Sequence, residues 1–174
     1  MERKRHFSGA RWEPEVGYCR AVRAGDLVFV SGSAPVARGG GVEAPGDPYA
    51  QARRCIEIVE EALAALGARL SDVVRTRMFV TDASRWADYG RAHREAFGAH
   101  PPATSMVEVR ALIDPAMTIE IEADAVVAPP PRARRTGGPR RPRGGRRSGA
   151  GRRAGRARRS GPAGEGYGRG AYTR

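Results

Sequence analysis

DPYAQARRCIEIVEEALAALGARLSDVVRTRMFVT, residues 47–81, holds a helix and the strand that follows it, and the architecture can be built outward from that pair. Asp47 is a good N-cap, because its carboxylate can accept from the free N–H groups of a first turn, and Pro48 suits the first helical position. Ala52, Cys55, Ile56, Val59, Ala62, Leu63 and Leu66 recur at the spacing of one helix face. Gly67 is a natural stop, since helices commonly end in a left-handed residue. The stretch predicts a helix of about five turns. Beyond it Val74, Thr76, Met78 and Val80 alternate with polar neighbours, which predicts a strand with one buried face.

Upstream, Tyr18 to Ala24 alternates, Gly25-Asp26 is a two-residue turn signal, and Leu27-Val28-Phe29-Val30 reads as a buried strand ended by Ser31-Gly32. Together they predict a hairpin. Residues 33–46 are rich in Gly and Pro and read as loop. Downstream, a second helix is expected from Ser84 to Phe97, with Trp86, Tyr89, His93 and Phe97 on one stripe and Gly98 behind it. Pro101-Pro102 forces extended chain, Ala103 to Leu112 reads as a strand, Asp114-Pro115 as a turn, and Thr118 to Val127 as the last strand. The expected order is β-β-α-β-α-β-β. Helices set between strands, but not after each one, indicate an α+β fold: a mixed sheet with two helices packed on one face.

Charge divides the chain. Of its 174 residues, 31 are Lys or Arg and 19 Asp or Glu, a net +12. Residues 129–174 hold 15 Arg and one acid, Glu165, so the remainder carries 16 basic against 18 acidic side chains, a net −2. The 129–174 segment contains no Val, Ile, Leu, Phe, Trp or Met. It cannot bury enough apolar surface to offset the entropy of ordering, and it reads as a disordered Arg/Gly/Pro-rich tail. The expected division is an N-terminal arm at 1–15, a folded domain at 16–128 and the tail at 129–174. A near-neutral domain excludes a uniformly basic nucleic-acid-binding globule, and the tail is left as the place for salt-sensitive, sequence-tolerant binding of nucleic acid. Two Cys exclude a disulfide framework. No apolar run approaches the roughly 18 residues of a membrane span, and no apolar h-region follows the basic N-terminus, so the expected compartment is the cytoplasm.

Few residues suggest chemistry unaided. His6, His93 and His100 lie far apart, and no HxxxH or CxxC spacing occurs, so no metal site is expected. Cys55 falls on the apolar helix face and reads as inert core, and His93 reads as a core-edge residue. Glu120 and Glu122 share one face of the last strand. That face is a solvated surface by default; bordering a cleft, it would offer a carboxylate to position water or shuttle a proton. Ser31-Gly32 ends a buried strand, where backbone N–H groups can hold an oxyanion or carboxylate.

Six blocks in order carry a resemblance: Tyr18-Cys-Arg-Ala-Val, Gly25-Asp-Leu-Val-Phe-Val-Ser-Gly32, Gln51-Ala-Arg, Val73-Val-Arg-Thr-Arg-Met-Phe-Val-Thr-Asp82, Pro102-Ala-Thr-Ser-Met-Val-Glu-Val109 and Ile119-Glu-Ile-Glu-Ala123. Over residues 16–127 the chain resembles the Rid (YjgF/RidA) family. The resemblance implies a chorismate-mutase-like α+β fold. It implies a homotrimer with a cleft at each subunit interface, and hydrolysis of reactive enamines and imines such as 2-aminoacrylate to a 2-keto acid and ammonia without metal or organic cofactor. It implies that Glu120 positions the attacking water and that Tyr18 closes the pocket, with Ser31, Gly32 and Thr104 holding polar substrate atoms and Met106 as a further substrate-binding position. The family's substrate-carboxylate arginine is replaced by Thr104, a frequent cysteine by Met106, and a cleft asparagine by Gly90. A threonine hydroxyl cannot reproduce a bidentate charge-assisted contact, so the substrate is expected to differ from 2-aminoacrylate. Arg20 shares the strand parity of Tyr18 and is the candidate replacement cation; an interface or surface ion pair is its plainer role. Two alternatives to a hydrolase stay open: a non-catalytic small-ligand-binding or regulatory trimer, and an RNA-interacting protein acting through the tail.

Overall fold

A computed structural model describes residues 2–127. The disordered tail expected at 129–174 lies outside the described residues. The elements are β1 (Arg3–His6), α1 (Trp12–Val16), β2 (Ala21–Ala24), β3 (Leu27–Ser33), α2 (Pro48–Ala65), β4 (Val73–Val80), α3 (Trp86–Phe97), β5 (Ala103–Glu108) and β6 (Ile119–Val126), with short 3-10 turns at Leu70–Asp72 and Ala83–Arg85. The strands form one mixed sheet in the order β1-β2-β3-β6-β4-β5. Among the described residues only β4 and β5 pair in parallel, joined through α3. Helix α2 lies on β3 and β6, and α3 lies beside α2.

The capping residues of the 47–67 stretch act as their chemistry requires. The Asp47 side chain accepts from Ala50 N at 3.0 Å, and Pro48 opens α2. Past Leu66, Gly67 takes φ 75°, so that Gly67 N donates to Ala64 O and Ala68 N to Leu63 O. This paired closure is the Schellman arrangement and satisfies two otherwise orphaned carbonyls. Between Ala24 and Leu27 the hairpin turns on Gly25, at φ 64°.

The core lies between the sheet and the helices. Val28, Ile119, Ile121, Ala123 and Ala125 are buried against Cys55, Val59 and Leu63 of α2. The alternation of β6 therefore turns Glu120, Glu122 and Asp124 to the face away from the helices. There Leu27, Phe29, Val107 and Val126 stay 42–50% exposed.

Four expectations change. The segment taken as an arm, 1–15, supplies β1, which pairs antiparallel with β2, and α1. The strand expected from Tyr18 begins at Ala21, which pairs with Val30; before it a single bond from Ser31 N to Arg20 O joins the two segments. In β4 a register shift between Val73 and Arg75 gives the buried position to Val73 and leaves Val74 48% exposed. Trp86 leaves the α3 stripe: it directly follows the 3-10 turn and is 65% exposed, while Tyr89 and Phe97 are buried.

Candidate functional site

A cavity of about 830 Å3 opens at the end of β3, and Tyr18, Arg20, Ser31, Gly32 and Glu120 all border it. The register of β3 against β6 shifts between Val30 and Ser33, and this irregularity creates the close approach at the cavity floor. A Cβ placed on Gly32 would fall on Glu120 Oε1, so only glycine leaves room for that carboxylate. Burial, with the Glu122 carboxylate added to it, pushes the Glu120 carboxyl above its ordinary range, and Arg20 offsets part of the shift. A carboxylate made more basic in this way is a better proton acceptor.

Arg20 is 8% exposed. Its Nη1 donates to Gly32 O at 2.6 Å and its Nη2 to the Tyr18 hydroxyl at 3.1 Å. Its Nε lies 3.9 Å from Glu13 Oε1 and makes no hydrogen bond among the described residues. Glu13, 3% exposed, accepts from Ser8 N, Ser8 Oγ and Gly9 N. Burial alone would raise its carboxyl, but those three donors and the Arg20 charge outweigh it and hold the pKa below the ordinary value. Ser31 turns inward too: its Oγ donates to Cys19 O and its N–H to Arg20 O. Ser31 is thus left to offer a ligand only the lone pairs of its hydroxyl.

The upper walls are apolar. Trp12 and Val16 of α1, Ile58 of α2, and Ile113 and Met117 of the loop before β6 border the cavity. That loop is held by the fully buried Gln51, whose Nε2 donates to Ala116 O and whose Oε1 accepts from Thr118 N and Oγ1. The wall at 36–40 is tied to α2 by Arg54 Nε, which donates to Val36 O at 2.8 Å.

Thr104 and Met106 are not brought to this cavity. They sit on β5, two strands from β6, and are paired with Thr76 and Met78, whose side chains face the helices. Thr104 Oγ1 lies 2.7 Å from Thr76 Oγ1, which lies 2.9 Å from His93 Nε2. Burial lowers the His93 pKa. Within one chain, Thr104 and Glu120 lie on opposite faces of the sheet. Cys55 is fully buried, its thiol pushed well above the ordinary range by burial first. Among the described residues no group of three or more His, Cys, Asp or Glu is placed to hold a metal ion, and no helix is long and apolar enough to cross a membrane. Reading the sequence missed Glu13, Trp12, Ile58 and Ile113. A five-residue helix shows no periodicity, and an acid thirteen positions into a chain carries no signal until its contacts are seen.

The sheet order and helix placement are those of the YjgF-fold proteins. Rv2704 of Mycobacterium tuberculosis, a member of the YjgF/YER057c/UK114 family, has a solved structure similar to this chain at 48% identity and TM-score 0.67, covering 72% of this chain and 100% of that one. Escherichia coli TdcF, solved with bound serine, is similar at 32% identity and TM-score 0.59, covering 64% and 88%. The 2-iminobutanoate/2-iminopropanoate deaminase of E. coli K12 is 37% identical over 112 residues, 63% of this chain and 86% of that protein. The family model described as Endoribonuclease L-PSP matches residues 8–127, and the chain belongs to this YjgF/RidA family.

Proposed function

We propose that this chain is a hydrolase of imine- or enamine-like compounds, a deaminase acting in the cytoplasm as a homotrimer and needing no metal or organic cofactor. The observation that carries the reading is Glu120: a carboxylate with raised basicity at the floor of a cavity large enough for a small molecule. Glu120 accepts a proton from a water as its oxygen bonds to the C=N carbon, and the π electrons pass to nitrogen. The carbinolamine then collapses. Glu120 returns its proton to the nitrogen, the C–N bond breaks as an oxygen lone pair forms the C=O bond, and the hydroxyl proton passes to the departing ammonia, so that a carbonyl compound and ammonium leave. Tyr18 closes the cavity over the substrate, and the similarity to an imine deaminase supports the reaction class.

The trimer is supported by the open sheet face, where Leu27, Phe29, Val107 and Val126 are left uncovered, and by the unpaired edge of β5. In such an assembly Thr104 and Met106 of one copy meet the cleft of the next and supply the polar and apolar contacts the single chain lacks. The endoribonuclease in the family description favours a second reading, but a phosphodiester would have to approach Glu120 beside Glu122, which makes the hydrolase the better fit. The remaining alternative, an RNA-interacting protein acting through residues 129–174 with their 15 Arg, would bind by charge and lose affinity steeply with salt.

The test is ammonia release from imines generated in situ by an oxidase. Glu120→Gln is expected to lower turnover about 100-fold, the usual contribution of a general base. Wild-type turnover in that variant would remove Glu120 from the mechanism.

A further inference from the structure

Each arginine that borders the cavity is already engaged by a protein partner, and one bordering carboxylate is not. Arg20 is permanently cationic, and Glu13 stands 3.9 Å from its Nε with its own pKa held low. The Arg20 guanidinium is already directed at Gly32 O, the Tyr18 hydroxyl and Glu13. At the rim, Arg54 pairs with Glu57 at 3.2 Å and Glu61 at 3.7 Å, and Arg38 pairs with Glu61 at 2.7 Å. On the open sheet face Arg77 answers Glu122 and Asp124, each at 3.3 Å. Of the two carboxylates that border the cavity, Glu61 is ion-paired and Glu120 has no hydrogen-bonded or ion-paired partner among the described residues. The walls above it are apolar and wide: Val16, Val36 and Ile113 border the cavity while 71%, 43% and 66% exposed. Large apolar side chains gathered around a charged floor fit a ligand with a charged head and an apolar body.

We infer that the cavity selects a cationic nitrogen head group on an apolar body without a carboxylate: an aldiminium or ketiminium ion of the kind left by two-electron oxidation of a primary amine. Arg20 is then a positioning residue that holds Gly32 and Tyr18 around Glu120, and not the cation that anchors a substrate carboxylate. The inference rests on the hydrolase reading for its choice of an iminium, while the preference for positive charge rests on the cavity alone. The reaction is R–CH=NH2+ plus water giving R–CHO plus NH4+. The oxygen–carbon bond forms as the C=N pair moves to nitrogen, and the charge leaves on ammonium. An amine-oxidising reaction must supply such a substrate, and an aldehyde-consuming reaction must follow.

Two matched pairs test this on the full chain. In calorimetric titration, 2-phenylethylammonium and 3-phenylpropionate share a body and differ in the sign of the head. The ammonium is expected to bind at least about tenfold more tightly, and Glu120→Gln to remove about that advantage. Equal or tighter binding of the propionate overturns the inference, and is the result expected if a neighbouring copy adds a cation to the cleft. An advantage unchanged in Glu120→Gln overturns it as well. In turnover, the imine from 2-phenylethylamine and an amine oxidase is compared with that from phenylalanine and an amino-acid oxidase, which differs only by its carboxylate. The carboxylate-free imine is expected to show the higher kcat/KM. Preference for the imino acid overturns the inference and leaves the hydrolase reading standing. No turnover of either, with the ammonium preference intact, overturns the hydrolase reading and upholds the charge selection.

Discussion

Replacing Gly32 by alanine tests the floor of the cavity with a single methyl group. The new Cβ would land on Glu120 Oε1, with Cδ at 2.8 Å and Cγ at 3.3 Å, so the backbone and the side chain cannot both keep their places. The obstruction is the far end of a flexible side chain, so Glu120 is expected to swing away and the strand to hold. Gly32 does not take a positive φ, and alanine there narrows the unfolded ensemble, worth about 0.4–1 kcal/mol of stability where the conformation fits. Moving the carboxylate and crowding its neighbours costs a similar amount, about 1 kcal/mol at the low end of overpacking. The melting temperature should therefore change little. Catalysis should change a great deal, since a displacement of about 1 Å in a reacting group can cost on the order of 100-fold. Gly32→Ala is then expected to match Glu120→Gln in ammonia release, and the double variant to be no worse than either, because both remove one function. Thermal melts and initial rates on the three proteins decide it. Full activity in a folded Gly32→Ala, or rate losses that multiply in the double variant, would refute the argument that this glycine exists to admit the carboxylate.

Other consequences follow from the same contacts. Glu13 has a depressed pKa in the folded chain, so its contribution to stability is fully present above the ordinary 4.5 and is lost as pH falls through the lower folded value; denaturation curves of wild type and Glu13→Gln should converge in that acid range and separate by about 1–3 kcal/mol at neutral pH. Glu120 has the opposite sign: its raised pKa makes ionisation in the fold costly, so Glu120→Gln should melt higher than wild type at neutral pH, with the gain gone below the ordinary 4.5, while wild-type turnover falls as pH drops through the raised value. Thr76→Val keeps the shape but leaves the half-buried His93 Nε2 without its partner, and urea denaturation should show a loss of about 1 kcal/mol. Phe29→Lys places a charge on the open sheet face, and light scattering should then report a monomer where the trimer proposed above is expected of the wild type; an unchanged mass would move the interface elsewhere.

Local chemistry in the sequence was enough for most of the sheet and both long helices. Asp47, Pro48 and Gly67 act within one or two turns of themselves, and the alternation of Ile119, Ile121, Ala123 and Ala125 needs only the period of a strand. Where the reading and the structure part, the cause is non-local. Val74 and Trp86 obey a pattern that a register shift and a 3-10 turn interrupt, and neither interruption is written in the residues that suffer it. β1 is a strand only because β2 offers an edge, since Arg3–His6 has no buried face of its own.

The amino-acid sequence by itself determined the α+β order, the buried face of each main strand, the separation of a near-neutral domain from a basic tail, and Glu120 as the carboxylate to watch. These follow from periodicities and capping, whose forces act over a few residues. Tertiary structure alone decided that Arg20 is turned toward Glu13, Gly32 and Tyr18. It also decided that Thr104 faces away from Glu120, and that residues 8–16 wall the cavity. Charge compensation and exclusion of water are properties of groups brought together in space, and no spacing along the chain records which partner a buried arginine will meet.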